Sequence, residues 1–278
     1  MQCATCLLPL PSDGPGCPLC PQEGLAPALA VDSGLAPVLA PLTIELAPGA
    51  AWRHALEEAA PGTTVRLQPG LYRFEGELAL PAGITLEGAG RELTTLEGLG
   101  ASGRCLLNHR GPGLFQLRGV EVRPHQGFWQ RLVGGGERPH LLGMQGGAYL
   151  VEGCSFDMAD GVRAAGDAGV PGTVVGCRFT GSGAVGLTTT GALWVEACEF
   201  VGLAKGIDAS RGRLVVRNSR FEANAIGVAW DDEGYGREPG EAGCMVARCA
   251  FRDNRETVQP KPPWRCRWND NRYEGPPR

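Results

Sequence analysis

Apolar residues recur along this chain in short runs, and beyond residue 42 those runs begin to repeat. LTIEL at 42–46 alternates apolar and polar positions, as a half-buried strand does. AAWRHALEEAAPG at 50–62 sets Trp52, Ala55, Leu56 and Ala59 at helical spacing, and Pro61 and Gly62 end the helix. TVRLQPGLYRF then reads as strand, turn and strand.

Further on, one pattern returns: apolar, any, small, Cys, any, Phe. Its copies are VEGCSF (151–156), VVGCRF (174–179), VEACEF (195–200), VRNSRF (216–221) and VARCAF (246–251). LRGVEV (117–122) fits the same template, with Val120 in the Cys column. Cys266 and Trp268 repeat the Cys-x-aromatic pair. The phenylalanines step by 23, 21, 21 and 30 residues. Each copy is followed by a second short apolar strand, such as AVGLTT, KGIDAS or AIGVAW.

A period near 21 marks one coil of a solenoid. The Leu-x-Leu and Asn framework of a leucine-rich repeat is missing. Short strands joined by Gly-rich turns predict an all-β, right-handed parallel β-helix with an N-terminal cap helix. Val, Cys and Phe of each motif point inward and stack coil on coil at ~4.8 Å. The Cys column (Cys154, Cys177, Cys198, Ser219, Cys249) reads as small apolar filler in a thin interior. Asn224, Asn254 and Asn271 each follow their aromatic by three residues and read as a turn ladder.

Composition supports frequent turns over disorder. Gly is 43 of 278 residues, yet the hydrophobic fraction is 43%. The net charge of −4 and the absence of a long basic run exclude an obvious nucleic-acid footprint. No apolar run reaches the ~18 residues of a membrane helix, and the N-terminus lacks a signal-peptide pattern. The expected location is cytoplasmic.

Before the solenoid lies a different kind of segment. Cys3, Cys6, Cys17 and Cys20 form C-x2-C-x10-C-x2-C within residues 1–22. Each C-x-x-C turn sets two thiolates on one side of a tight loop, and two such turns supply a tetrahedral, structural Zn²⁺ site. The segment resembles a zinc ribbon. Residues 23–41, which repeat GLAPALA and GLAPVLA, read as an Ala/Pro-rich linker to the β-helix at 42–278.

The stretch AWRHALEEAAPGTTVRLQPGLYRFEGELALPAGITLEGAG (51–90) resembles the N-terminal capping region of the pectin-lyase-like superfamily. That resemblance implies a short helix plugging the barrel end and a strand pair opening the coils. It also implies a range of activities: polysaccharide lyases, glycoside hydrolases, epimerases and non-enzymatic scaffolds. The N-T-D strand and H-G turn of the pectinolytic hydrolases are missing here, and the Asp231-Asp232 pair falls in an insertion.

Two insertions interrupt the coils, following different strands. Residues 123–140 carry Arg123, Phe128, Trp129, Arg131 and Arg138, and residues 230–243 carry Trp230, Asp231, Asp232, Glu233 and Tyr235. Aromatic and Arg residues on inserted loops are typical interface anchors. Phe128, Trp129, Arg131, Trp230, Asp231, Asp232 and Tyr235 are therefore the binding candidates. The sequence reads as a non-enzymatic scaffold for a macromolecular partner, with a protein as the first expectation. The alternative is a carbohydrate-active enzyme or polysaccharide binder.

The knuckle pair predicts about one zinc ion per chain by elemental analysis. Cys6→Ser and Cys17→Ser should each release the metal. Retention of zinc by both variants would remove the site.

Overall fold

The protein is described from a computed structural model, which covers residues 42–49, 51–100, 105–127, 139–157, 159–165, 172–210, 213–231, 244–259 and 266–275. The Cys3–Cys20 module and the linker lie outside these residues.

Each motif is a corner joining two strands, not one strand. In VVGCRF, strand Gly172–Val175 ends at Gly176, whose φ is +61°, and strand Arg178–Thr180 begins after Cys177. One left-handed residue turns the chain sharply, so Val174, Cys177 and Phe179 can all face inward. The same corner is made by Gly153, then by Ala197, Asn218 and Arg248 at φ of 49–55°. The "small" position of the motif is thus a backbone requirement. A second corner leads to a third strand, such as Val185–Thr189, and each coil has three strands rather than the two read from sequence.

Among the described residues, these strands build three parallel sheets, coil after coil. Sheet I has ten strands, from Thr43–Leu46 to Cys266–Asn269. Sheet II has nine, from Gly70–Phe74 to Arg272–Glu274. Sheet III has eight, from Leu78–Leu80 to Glu256–Gln259. The chain is a right-handed parallel β-helix, the hand expected of parallel crossovers. At its start, helix Trp52–Glu57 buries Trp52 and Leu56, with Trp52 edge-on to Tyr72 at 5.3 Å. It is shorter than the 50–62 span suggested, and it forms the expected plug.

Inside sheet II runs a ladder of rings. Phe156, Phe179, Phe200, Phe221 and Phe251 stack with centroids 4.8–5.1 Å apart and planes within 10°. Burial of each ring contributes roughly 1.5–3 kcal/mol, and each ring pair roughly 0.5–1.5 more. A glycine column lies beside the ladder. A Cβ on Gly161, Gly186, Gly206 or Gly227 of sheet III would meet the backbone carbonyl of the next coil and lie 2.8–3.0 Å from its Phe ring. Two coils earlier in the column Val122 and Leu96 replace Phe, and Leu141 and Leu106 fill the glycine positions.

The thiols behave as filler. Cys154, Cys177, Cys198 and Cys249 are buried and free of disulfides. Burial pushes the Cys177 thiol well above its usual range, and the neighbouring Cys154 and Cys198 add to the effect. The last coil departs from the sequence reading. Cys266 and Trp268 pair with Cys244 and Val246 in sheet I, and Tyr273 pairs with Phe251 to end the ring ladder. Asn224 and Asn254 stack in the corner between sheets II and III at 2.9 Å, whereas Asn271 sits at the other corner, accepting from Cys249 N–H at 2.8 Å. The proposed Asn ladder is a pair plus a separate cap.

A histidine ring is also enclosed in this interior. His109 points inward from sheet III and stacks on Phe115 at 4.6 Å. Burial lowers its pKa.

Two outcomes follow. Gly206→Ala should cost roughly 1–3 kcal/mol by overpacking against the Gly227 carbonyl and the Phe221 ring, and Phe200→Ala roughly 3–5 kcal/mol by cavity formation; both are read as lower urea midpoints. The His109 pKa is lower folded than unfolded. Its contribution is complete above the unfolded value of ~6.5 and is lost as pH falls towards the folded value. The melting temperature should drop over that window, and His109→Leu should flatten the drop. An unchanged slope would contradict a neutral buried ring.

Candidate functional site

Parallel register places residues of the same rank on one line, and the outer face of sheet II carries such a line of charge. Arg73 is level with Glu97, Glu97 with Arg123, and Asp157 and Thr180 follow on the next coils. Arg73 Nε lies 2.9 Å from Glu97 Oε2, and Arg123 Nε lies 3.3 Å from Glu97 Oε1. Arg123 Nη1 also approaches Glu121 Oε2 at 3.4 Å, and Thr95 Oγ1 donates to that same oxygen at 2.9 Å. Thr180 donates to Asp157. The Glu97 side chain is only 7% exposed beneath the two guanidiniums, whereas Arg73 is 58% exposed.

The chain then folds over one side of this line. His125 N–H donates to Gly98 O at 2.8 Å, pinning the segment after strand Glu121–Pro124 to the coil below. Gly127 N–H donates to His125 Nδ1 at 3.2 Å. The result is a cleft of about 410 Å³ lined by Arg73, Glu97, Arg123, Pro124, His125, Gln126 and Asp157. Its walls alternate guanidinium donors and carboxylate acceptors along the solenoid axis. Such a surface suits a hydroxyl-rich, extended ligand, which needs both kinds of partner at regular spacing.

Sheet III carries a second polar line, in which Cys105, His140 and Asp160 share one register. Burial lowers the His140 pKa, Asp160 raises it and Arg163 lowers it. The Asp160 carboxylate accepts the Val185 N–H at 2.9 Å, which is a structural use.

The binding candidates read from sequence fare differently. Phe128, Trp129, Arg131, Asp232 and Tyr235 lie outside the described residues, as do the ligands Cys3, Cys6, Cys17 and Cys20. Trp230 is 3% exposed and pairs with Ala209 in the inward column of sheet III, so it is a core residue rather than a surface anchor. Asp231 ends strand Ile226–Asp231. The first insertion lies in the chain between strands Glu121–Pro124 and His140–Gln145, and the second between Ile226–Asp231 and Cys244–Ala247. The Arg73–Glu97–Arg123 line was not read from sequence. Its signal is a spacing of 24 and 26 residues, close to one coil.

No protein-family model matches the sequence, and no curated protein matches it. Solved structures do match. An alginate lyase of family PL6, AlyGC, superposes with a TM-score of 0.59 at 12% identity over 83% of this chain and 39% of its own. The pectin methylesterase from Yersinia enterocolitica gives 0.56 at 13% identity, over 82% of this chain and 91% of its own. A pectin methylesterase in complex with a hexasaccharide gives 0.52 at 12% identity, over 74% of this chain and 75% of its own. The chain spans about two fifths of the alginate lyase structures it matches. These likenesses establish the parallel β-helix fold. No described helix is long and apolar enough to cross a membrane.

Proposed function

We propose that the chain is a carbohydrate-binding parallel β-helix, and that an oligosaccharide lies along the outer face of sheet II. The observation that carries this reading is the cleft over the Arg73, Glu97, Arg123 and Asp157 line, overhung by His125. The coil rise of ~4.8 Å is comparable with the length of one pyranose unit, so successive sugars would meet successive rungs. Arg73 and Arg123 would donate to ring and hydroxyl oxygens, the carboxylates would accept from hydroxyls, and the His125 ring would add a further polar contact. The saccharide-bound relative gives this fold a precedent for such a ligand.

Recognition fits these side chains better than catalysis does. Glu97 is held between two arginines and Asp157 by Thr180. Carboxylates engaged in this way are suited to fixed hydrogen bonds. A glycosidase instead needs one carboxyl that can deliver a proton to the leaving oxygen. The zinc module at Cys3, Cys6, Cys17 and Cys20 is a separate structural element in this proposal.

The test is titration calorimetry with oligogalacturonate, alginate oligosaccharides and neutral xylo- and cello-oligosaccharides. At least one series should bind, and Arg73→Ala with Arg123→Ala together should weaken it at least ~10-fold, or about 1.4 kcal/mol. Circular dichroism confirms that the variant remains folded. Absence of binding to every series at millimolar ligand, or unchanged affinity in the double variant, would overturn the proposal.

A further inference from the structure

The charges under the cleft alternate in sign, and that order restricts what can lie on them. Arg73, Glu97 and Arg123 stand at one rank on successive coils. Asp157 holds the same rank one coil further, because Phe156 before it pairs with Val122. Along the axis the line therefore runs plus, minus, plus, minus, with one sign per coil of ~4.8 Å.

Both guanidiniums are already engaged. Arg73 Nε holds Glu97 Oε2 at 2.9 Å. Arg123 reaches Glu97 Oε1 with Nε at 3.3 Å and Glu121 Oε2 with Nη1 at 3.4 Å. Each oxygen of Glu97 thus faces its own arginine, and the side chain has little room to leave them. Glu121 is held further by the Thr95 hydroxyl at 2.9 Å. Asp157 is held by Thr180 from the coil on its far side. Among the described residues, the cleft and its ion-pair partners set two arginines against three carboxylates. Protonation of His125 would bring that balance to zero and no higher.

A polyuronate carries one carboxylate on every sugar. Laid along this line at one sugar per coil, it puts a carboxylate against Glu97 and another against Asp157. Sliding the ligand by one coil changes which sugars are opposed, but the like-charge contacts remain. A uronate over Arg73 or Arg123 would also compete with carboxylates that already hold those guanidiniums. A neutral sugar meets neither obstacle. Its hydroxyls donate to a carboxylate and accept from a guanidinium, so the same residue suits both kinds of rung. Like-charge juxtaposition is a general means of rejecting a wrong ligand. We infer that the cleft selects neutral, hydroxyl-rich oligosaccharides and rejects polyuronates, with Glu97 and Asp157 enforcing the choice. This selectivity presupposes that the cleft takes a saccharide at all, as proposed above.

The test is calorimetry on the full chain with cellotetraose and xylotetraose against tetragalacturonate and tetramannuronate, at about 20 mM and about 300 mM salt. A neutral tetrasaccharide should bind at least ~10-fold more tightly than either uronate. Its affinity should be the same at both salt concentrations, because it brings no charge to be screened. Glu97→Gln with Asp157→Asn removes both negative rungs while keeping an acceptor oxygen at each. At the lower salt the pair should shift the ratio of affinities towards uronate by at least ~10-fold. Melting curves verify that the coils remain formed, and Asp157→Asn alone should shift the ratio in the same direction should the double variant unfold. Uronates that bind the wild type as tightly as neutral sugars, or a ratio unmoved in the variants, would overturn this selectivity and leave the carbohydrate reading standing. Absence of binding by both classes would overturn the two together.

Discussion

Residues of like rank must lie on top of one another in this protein, because each strand pairs in parallel with the strand one coil before. That constraint fixes the spacing of side chains at ~4.8 Å along the axis, near the thickness of a ring. Phenylalanine fits this spacing face to face, and four successive pairs take it up. A column of glycines lies beside them: a Cβ on Gly161, Gly186, Gly206 or Gly227 would meet the backbone carbonyl of the next coil as well as its Phe ring. In the earlier coils Leu141 and Leu106 hold the same rank.

The same stacking makes the outer surface. Inside, like residues share a column because apolar packing tolerates likeness. Outside, like charges would repel, and signs alternate instead. Arg73, Glu97, Arg123 and Asp157 follow this rule, and so do Arg178, Glu199 and Arg220 further along. What separates the first line from the second is shape: the segment at His125 folds over it and turns a ladder into a cleft.

Much of this was legible in the sequence, because the Phe and Cys columns announce their period without any structural help. The division of each motif between sheets I and II was not. That corner is signalled by Gly153 and Gly176, but Ala197, Asn218 and Arg248 make the same left-handed turn with a Cβ present, and Ala and Arg carry no preference for it. The final coil misled for a related reason. Cys266-x-Trp268 imitates the motif in composition, while the true successor of Phe251 is Tyr273, which lacks the Cys before it. Trp230 looked like a loop anchor because it borders an insertion, yet alternation within Ile226–Asp231 turns it inward. The charged line on sheet II was hidden for want of register: its members are 24 and 26 residues apart, and only paired strands show that those spacings are equivalent.

The thiol column has a practical side. Cys154, Cys177, Cys198 and Cys249 stand at one corner of four different coils, each enclosed and each without a disulfide. In a solenoid, stability is assigned turn by turn, and separate turns can open independently. A thiol that reacts only when its own turn opens is a clock for that turn. The molecule therefore carries a native set of probes along its axis. Their labelling rates, resolved by peptide mass, would report which end of the helix frays first and how far a disturbance at one coil travels to the next.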